Sequence, residues 1–147
     1  MSAVVLVIGY GNELRRDDGV GPQAARAVTA WGRPGVQALA VHQLTPELAE
    51  QVASAARVIF VDARPDDGGA VEVSRLGPVA ARPGLGHTGD PRELLALVAA
   101  LYGRCPEAWL VTVPTVDLDF GEGLSPAAQR GLSEALRRIR MLCDCAK

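Results

Sequence analysis

One stretch decides the fold: Val5-Leu-Val-Ile-Gly-Tyr-Gly-Asn-Glu-Leu-Arg-Arg-Asp-Asp-Gly-Val-Gly21. It combines an apolar run, a glycine turn and a pair of acids. The apolar and β-branched residues 3–8 are typical of a central parallel strand that helices cover on both faces. Strands of this kind carry functional residues at their carboxyl ends. The residues that follow the run are therefore the first place to look for a site.

The loop after this strand delivers two acids to the edge of the predicted sheet. Gly9 and Gly11 allow the backbone to turn sharply, and Asn12 can hydrogen-bond to neighbouring backbone groups. Asp17 and Asp18 follow, just before a helix predicted to begin near position 20. A purely structural explanation is that both acids cap this helix, since carboxylates suit the positive end of a helix dipole. That explanation accounts for one acid more easily than for two.

Two nucleotide-binding patterns fit this loop poorly. A dinucleotide fingerprint would place a third glycine at position 14, where the chain has Leu14. A phosphate-binding P-loop would continue with Gly-Lys-Ser or Gly-Lys-Thr, and neither follows.

The rest of the chain alternates strand and helix patterns. Further strands are predicted at 36–41, 57–61, 71–76 and 108–113, with 71–76 antiparallel at an edge. Further helices are predicted to begin at Thr45-Pro46, Asp90-Pro91 and Ser125-Pro126, each with a capping residue before proline. The 147 residues therefore predict a single domain, residues 1–147, of the α/β class. Its architecture is a three-layer sandwich, with an open, mostly parallel sheet of about five strands and helices on both faces.

Three side chains are candidates for a shared crevice at the carboxyl edge of this sheet. Asp18 follows the first strand, Asp62 ends the third, and His87 lies in a loop rich in proline and glycine at 77–88. Carboxylates and a neutral imidazole form a ligand set that suits nickel, zinc or cobalt. The simpler alternatives are that Asp62 stabilises a turn and that His87 is an exposed loop residue. His42, at the end of the second predicted strand, is expected to be a structural or rim residue.

Residues 9–21 resemble the opening motif of the hydrogenase maturation proteases, which trim the C-terminal tail of the large subunit of nickel-iron hydrogenases. The segments 58–63 and 120–126 and the histidine before a helix, His87, resemble later blocks of that family in the same order. The resemblance therefore spans nearly the whole chain.

The resemblance implies an aspartyl-type endopeptidase that acts on the precursor of the hydrogenase large subunit after nickel insertion. Asp18, Asp62 and His87 would contact nickel carried by the substrate, and Gly9, Gly11 and Asn12 would shape the loop. Asp18 is preferred to Asp17 because the second acid of the pair contacts the metal in the family. Asp18 and Asp62 are also the catalytic candidates. Either a carboxylate activates water while nickel polarises the scissile bond, or an aspartate acts as in acid proteases.

Composition excludes several other classes of protein. A formal net charge of −2 and scattered arginines argue against nucleic acid as a partner. The apolar runs are too short to span a bilayer, and no secretory signal pattern is present, so a cytoplasmic monomer is expected. The three cysteines lack the spacing of a structural zinc site, and Cys143 and Cys145 are interpreted as incidental thiols at a frayed helix end.

Two functions of other classes remain as alternatives. A free-standing metallohydrolase would carry its own zinc in stoichiometric amount. A nonenzymatic nucleotide-binding α/β module would bind nucleotide and ignore hydrogenase precursors.

Overall fold

The computed structural model describes residues 4–77 and 89–144. Within these ranges the chain forms five strands: β1 (Val5–Tyr10), β2 (Val36–Val41), β3 (Arg57–Pro65), β4 (Glu72–Leu76) and β5 (Glu107–Thr115). The same residues form four α-helices: α1 (Val20–Ala30), α2 (Ala49–Ser54), α3 (Pro91–Tyr102) and α4 (Pro126–Asp144). A 3-10 turn precedes α1 at Arg16–Gly19, and another precedes α2 at Pro46–Leu48.

The five strands form one sheet in the order β2-β1-β3-β5-β4. The neighbours β2, β1, β3 and β5 pair in parallel, whereas β4 is antiparallel to β5 and forms an edge. Both the mostly parallel sheet and the antiparallel edge strand confirm the sequence predictions. The carboxyl ends of the two central strands, β1 and β3, consequently lie side by side.

Helices cover both faces of the sheet, and each layer has its own hydrophobic core. On one face, α2 and α3 pack on Leu6 and Ile8 of β1 and on Phe60 of β3. On the other face, α1 and α4 pack on the alternate positions, such as Val7 and Ile59. The side-chain period of two in a strand explains this division. All six residues of β1 are buried, as its apolar sequence predicts.

The structure changes several predicted boundaries. The first strand begins later and ends later than the predicted 3–8, because Gly9 and Tyr10 still pair with β2. The third strand and the last core strand are both longer than predicted, since β3 and β5 pair along their whole lengths. Of the predicted loop 77–88, residues 78–88 lie outside the described ranges.

The predicted helix starts have different outcomes. The Asp90 side chain caps α3 by accepting a hydrogen bond from the Arg92 N–H at 2.9 Å. The Ser125 hydroxyl accepts one from Ala128 N–H at 3.1 Å at the start of α4. The predicted cap by Thr45 is wrong, because its side chain makes no capping hydrogen bond and the chain first forms a 3-10 turn.

The last helix departs from the expected frayed end. Cys143 is only 5% exposed and packs in the core between the sheet and the α1/α4 layer. Cys145 lies outside the described residues. In the part of the chain that the structure describes, none of the helices combines the length and the apolar character needed to cross a bilayer.

Candidate active site

The candidate site lies near the carboxyl edge of the sheet, where β1 ends at Tyr10. The prediction that Asp62 ends the third strand is wrong, because β3 stays paired with β5 as far as Pro65 and Asp62 lies within it. Gly9 pairs with Val61, so the next residues along the two strands are Tyr10 and Asp62. Asp62 is in register with Thr112 of β5 on its other side. Since side chains alternate along a strand, Tyr10 and Asp62 both face the α2/α3 layer. Asp62 therefore lies in the sheet between Tyr10 of β1 and Thr112 of β5.

The loop from β1 to α1 is held close to the sheet by glycines. Gly11 has φ +148, and a Cβ atom on it would lie 2.0 Å from the Asp18 carbonyl oxygen. A Cβ on Gly9 would lie 1.8 Å from the carbonyl oxygen of Gly21 in α1. Neither position has room for a side chain, so both glycines are required by close approach of the backbone. This packing brings the Arg16–Gly19 turn back over the end of β1.

Asp18 is fixed by the same loop. Its Oδ2 accepts a hydrogen bond from the Asn12 N–H at 2.7 Å, and the Asn12 side chain accepts one from Leu14 N–H at 2.9 Å. The Asp18 side chain is half-buried, so part of its surface faces solvent. A carboxylate with one anchored oxygen and access to solvent can act as a ligand or as a base.

Burial raises the pKa of Asp62 to about 6. Hydrogen bonds from the Tyr10 hydroxyl and the Ala63 backbone N–H act in the opposite direction, while the negative charge of Asp18 raises the pKa of Asp62 further. Because the Asp18 charge acts on the Asp62 carboxyl, the two carboxylates lie near each other. Two carboxylates at such a site resist ionising together, and a cation placed between them removes that resistance.

Tyr10 is a site residue that the sequence analysis did not identify. Burial raises the pKa of its hydroxyl, and the charges of Asp62 and Asp90 raise it further, so the phenol stays protonated and can donate. The charge of Arg92 acts on the same hydroxyl in the opposite sense. The N-terminus of α3 therefore lies at this edge too. The available signal in the sequence was the position of Tyr10 just after the apolar run that predicts the first strand.

The two neighbouring acids differ sharply in surroundings. Asp17 is fully buried, and its carboxylate accepts hydrogen bonds from the Ser125 N–H and hydroxyl, both at 2.7 Å, and from Val116 N–H at 3.0 Å and Asp117 N–H at 3.1 Å. Burial alone would raise the pKa of Asp17, but these hydrogen bonds outweigh it and hold the pKa below its usual range. Asp17 is thus committed to internal contacts, whereas Asp18 faces the site.

The third predicted ligand, His87, lies outside the described residues. Among residues 4–77 and 89–144 there is no group of three or more His, Cys, Asp or Glu side chains that is arranged to hold a metal ion. The described part of the site is therefore a carboxylate pair. His42, the other histidine, is exposed beyond the end of β2.

Fold and geometry together define a three-layer α/β protein with a carboxylate pair at the carboxyl edge of its sheet. No protein-family model and no curated protein sequence matches the chain. Solved structures do match over nearly its whole length. These likenesses show that the chain has the fold of the hydrogenase maturation proteases.

Several of the matching structures carry that description. The NiFe hydrogenase maturation protease HybD from Thermococcus kodakarensis is 24% identical, with 98% of this chain and 99% of that chain covered and a TM-score of 0.75. The hydrogenase maturating endopeptidase HybD from E. coli is 21% identical, with coverage of 92% and 89% and a TM-score of 0.72. An uncharacterized protein from Wolinella succinogenes is 27% identical, with coverage of 99% and 100% and a TM-score of 0.67.

Proposed function

We propose that the chain is an endopeptidase that removes the C-terminal extension from the precursor of a nickel-iron hydrogenase large subunit after nickel insertion. The observation that carries this proposal is the pair Asp18 and Asp62, coupled through their charges at the carboxyl edge of a hydrogenase maturation protease fold. Solved structures with that fold are described as hydrogenase maturation proteases, and this chain matches them almost end to end.

In this proposal the nickel arrives with the substrate. Asp18 and Asp62, together with His87 from the sequence argument, contact nickel that the precursor already holds. Two carboxylates are an incomplete ligand set, unlike the four closed ligands of a structural zinc site. The affinity of the free protein for nickel is consequently modest, and the precursor completes the coordination. The bound metal then positions the scissile bond against the protease.

The pH dependence of kcat distinguishes two states of Asp62 during hydrolysis. If Asp62 is free and acts as general base on water, kcat rises as the pH increases through about 6, where its carboxyl loses the proton. If Asp62 binds the nickel of the substrate, the metal keeps the carboxylate deprotonated, and this ionisation disappears from the kcat profile.

Cleavage of a purified precursor in nickel-loaded and metal-free forms tests the function. The wild-type protein is expected to cleave only the nickel-loaded form. Asp18→Asn and Asp62→Asn are expected to lose cleavage by a factor on the order of 100 or more, while circular dichroism shows folded protein. Glu50→Gln, which removes a carboxylate from the exposed surface of α2, is the matched control and should cleave normally.

Metal analysis of the isolated protein separates the proposal from the zinc metallohydrolase alternative. The purified protein is expected to contain little metal. Stoichiometric zinc together with cleavage of the metal-free precursor would favour the metallohydrolase. Normal cleavage by both aspartate variants would show that the site is elsewhere.

A further inference from the structure

The buried carboxylate of Asp17 joins two loops that are distant in sequence. One loop, residues 11–19, follows β1 and carries Asp18. The other, residues 116–125, connects β5 to α4 and supplies all four donors to the Asp17 carboxylate. Both carboxylate oxygens are used: Oδ1 accepts from the Ser125 N–H, and Oδ2 accepts from the remaining three donors. A buried carboxylate with this many donors is a strong anchor in a site without competing water.

Main-chain contacts bind the same two loops a few residues away. The Arg16 N–H donates to the Gly121 carbonyl at 3.0 Å, and the Gly121 N–H donates to the Leu14 carbonyl at 2.8 Å. The Arg16 guanidinium lies 3.6 Å from the Asp117 carboxylate, and the Arg15 guanidinium stacks 4.8 Å from the ring centre of Phe120. These last two contacts are exposed and contribute little. The buried Asp17 is therefore the strongest link between the loops.

Asp18 is consequently held from two directions. Its own N–H donates to the Arg15 carbonyl inside the turn, and the preceding residue is fixed by the four donors. On the other side, the Asn12 N–H donates to Asp18 Oδ2. The Gly11 backbone also packs directly against the Asp18 carbonyl, so the Asp18 backbone cannot move towards it. A change at Asp17 therefore shifts the turn that presents Asp18 to the site.

We propose that Asp17 is a positioning residue: through its hydrogen bonds to residues 116–125 it fixes the turn that carries Asp18 in the geometry that cleavage needs. This inference rests on the proposed endopeptidase function for its kinetic consequence. Its structural consequence, the placement of Asp18 against Asn12, is independent of that function. A displacement of about 1 Å in a catalytic group costs on the order of 100-fold in rate, so a rigid anchor directly beside Asp18 has a direct effect on kcat.

Asp17→Asn is the variant that tests the anchor, because it keeps the side-chain volume. In either orientation of the amide, its NH2 group faces at least one N–H donor, so one hydrogen bond is replaced by a repulsive contact. We expect kcat for the nickel-loaded precursor to fall on the order of 100-fold per folded molecule, with KM changed by less than about threefold. Ser125→Ala should cause a smaller loss of kcat, and Ser125→Thr, which keeps the hydroxyl, should restore it.

A stability control excludes a purely structural role. Ile139→Val removes one methyl group from the fully buried face of α4. It should lower the melting temperature, as Asp17→Asn does, without changing kcat per folded molecule. If Asp17→Asn also leaves kcat per folded molecule unchanged while the wild-type protein cleaves, Asp17 only stabilises the fold and the inference is overturned.

An NMR measurement tests the same inference without substrate. In the wild-type protein the Asn12 amide should be protected from hydrogen exchange and shifted downfield by its bond to Asp18. In Asp17→Asn this protection and shift should be lost, whereas the amides of β1 keep theirs. If the Asn12 amide keeps both its protection from exchange and its downfield shift in the variant, the inference is contradicted. If the wild-type protein cleaves no precursor but the Asn12 signal is lost in the variant, the proposed function fails and the positioning role stands.

Discussion

Asp62→Asn is predicted to make the protein more stable at neutral pH while removing its activity. Burial and the charge of Asp18 raise the pKa of Asp62 from its usual 3.8 to about 6. The folded protein therefore binds this proton more tightly than the unfolded chain does. Well below pH 3.8 the carboxyl is protonated in both states and does not affect stability. Between pH 4 and 6 the unfolded chain ionises this carboxyl while the folded protein still keeps its proton, so the free energy of unfolding falls as the pH rises through about 6.

The size of this effect follows from the shift. A rise from 3.8 to about 6 corresponds to at most about 3 kcal/mol of folding free energy above pH 7. Because Asp62 is only partly buried, water screens part of this cost, and a gain of about 1–3 kcal/mol is expected from the neutral amide. Asparagine keeps an oxygen that can accept from the Tyr10 hydroxyl and the Ala63 N–H, so these contacts need not be lost.

Urea unfolding followed by circular dichroism between pH 4 and 8 measures this difference. The free energy of unfolding of Asp62→Asn minus that of the wild type should be largest above pH 7 and should shrink towards pH 4. Other carboxylates titrate in both proteins, and their contributions cancel in the difference. Asp66→Asn, at an exposed turn where the amide oxygen can still accept from the Gly68 N–H, is the matched control for the loss of one carboxylate. A difference that is constant with pH, or a variant less stable than the wild type at pH 7.5, would show that Asp62 does not carry a raised pKa in the folded protein.

Three further predictions test other parts of the molecule. His87→Gln should sharply lower cleavage of the nickel-loaded precursor, because an amide is a weaker ligand than an imidazole; near-normal turnover at limiting precursor would return His87 to a simple loop residue. Asp90→Ala should lower the free energy of unfolding by about 1 kcal/mol, since α3 loses its cap; an unchanged urea midpoint would contradict this. Gly21→Ala should lower the free energy of unfolding by about 2–3 kcal/mol, because the added Cβ would lie 2.5 Å from the Tyr10 carbonyl oxygen. Gly77→Ala is the control and should be nearly neutral, because there is open space around Gly77. Equal effects of the two substitutions in a thermal melt would disprove the close packing at Gly21.

Local patterns in the sequence were enough to predict the class of fold. Three signals are local, because each depends only on residues a few positions apart. They are the buried run 5–8, the glycines after it and the alternating helix patterns. Such signals predicted β2 and the start of α1 at their observed positions and placed β4 at an edge. They failed at Thr45, where local capping preference did not decide the geometry of the first turn.

The different surroundings of the two adjacent acids depend on contacts that are distant in the sequence. Asp17 and Asp18 are adjacent and chemically identical, and the difference between them arises from the loop 116–125, which folds back and buries one of them. The partnership of Tyr10 with Asp62 likewise depends on the register between β1 and β3, which brings two residues distant in sequence to the same row of the sheet. The pKa of Asp62 is a consequence of that burial and of the nearby Asp18 charge. These contacts join residues far apart in the chain, so no local pattern encodes them; they exist only once the sheet has assembled.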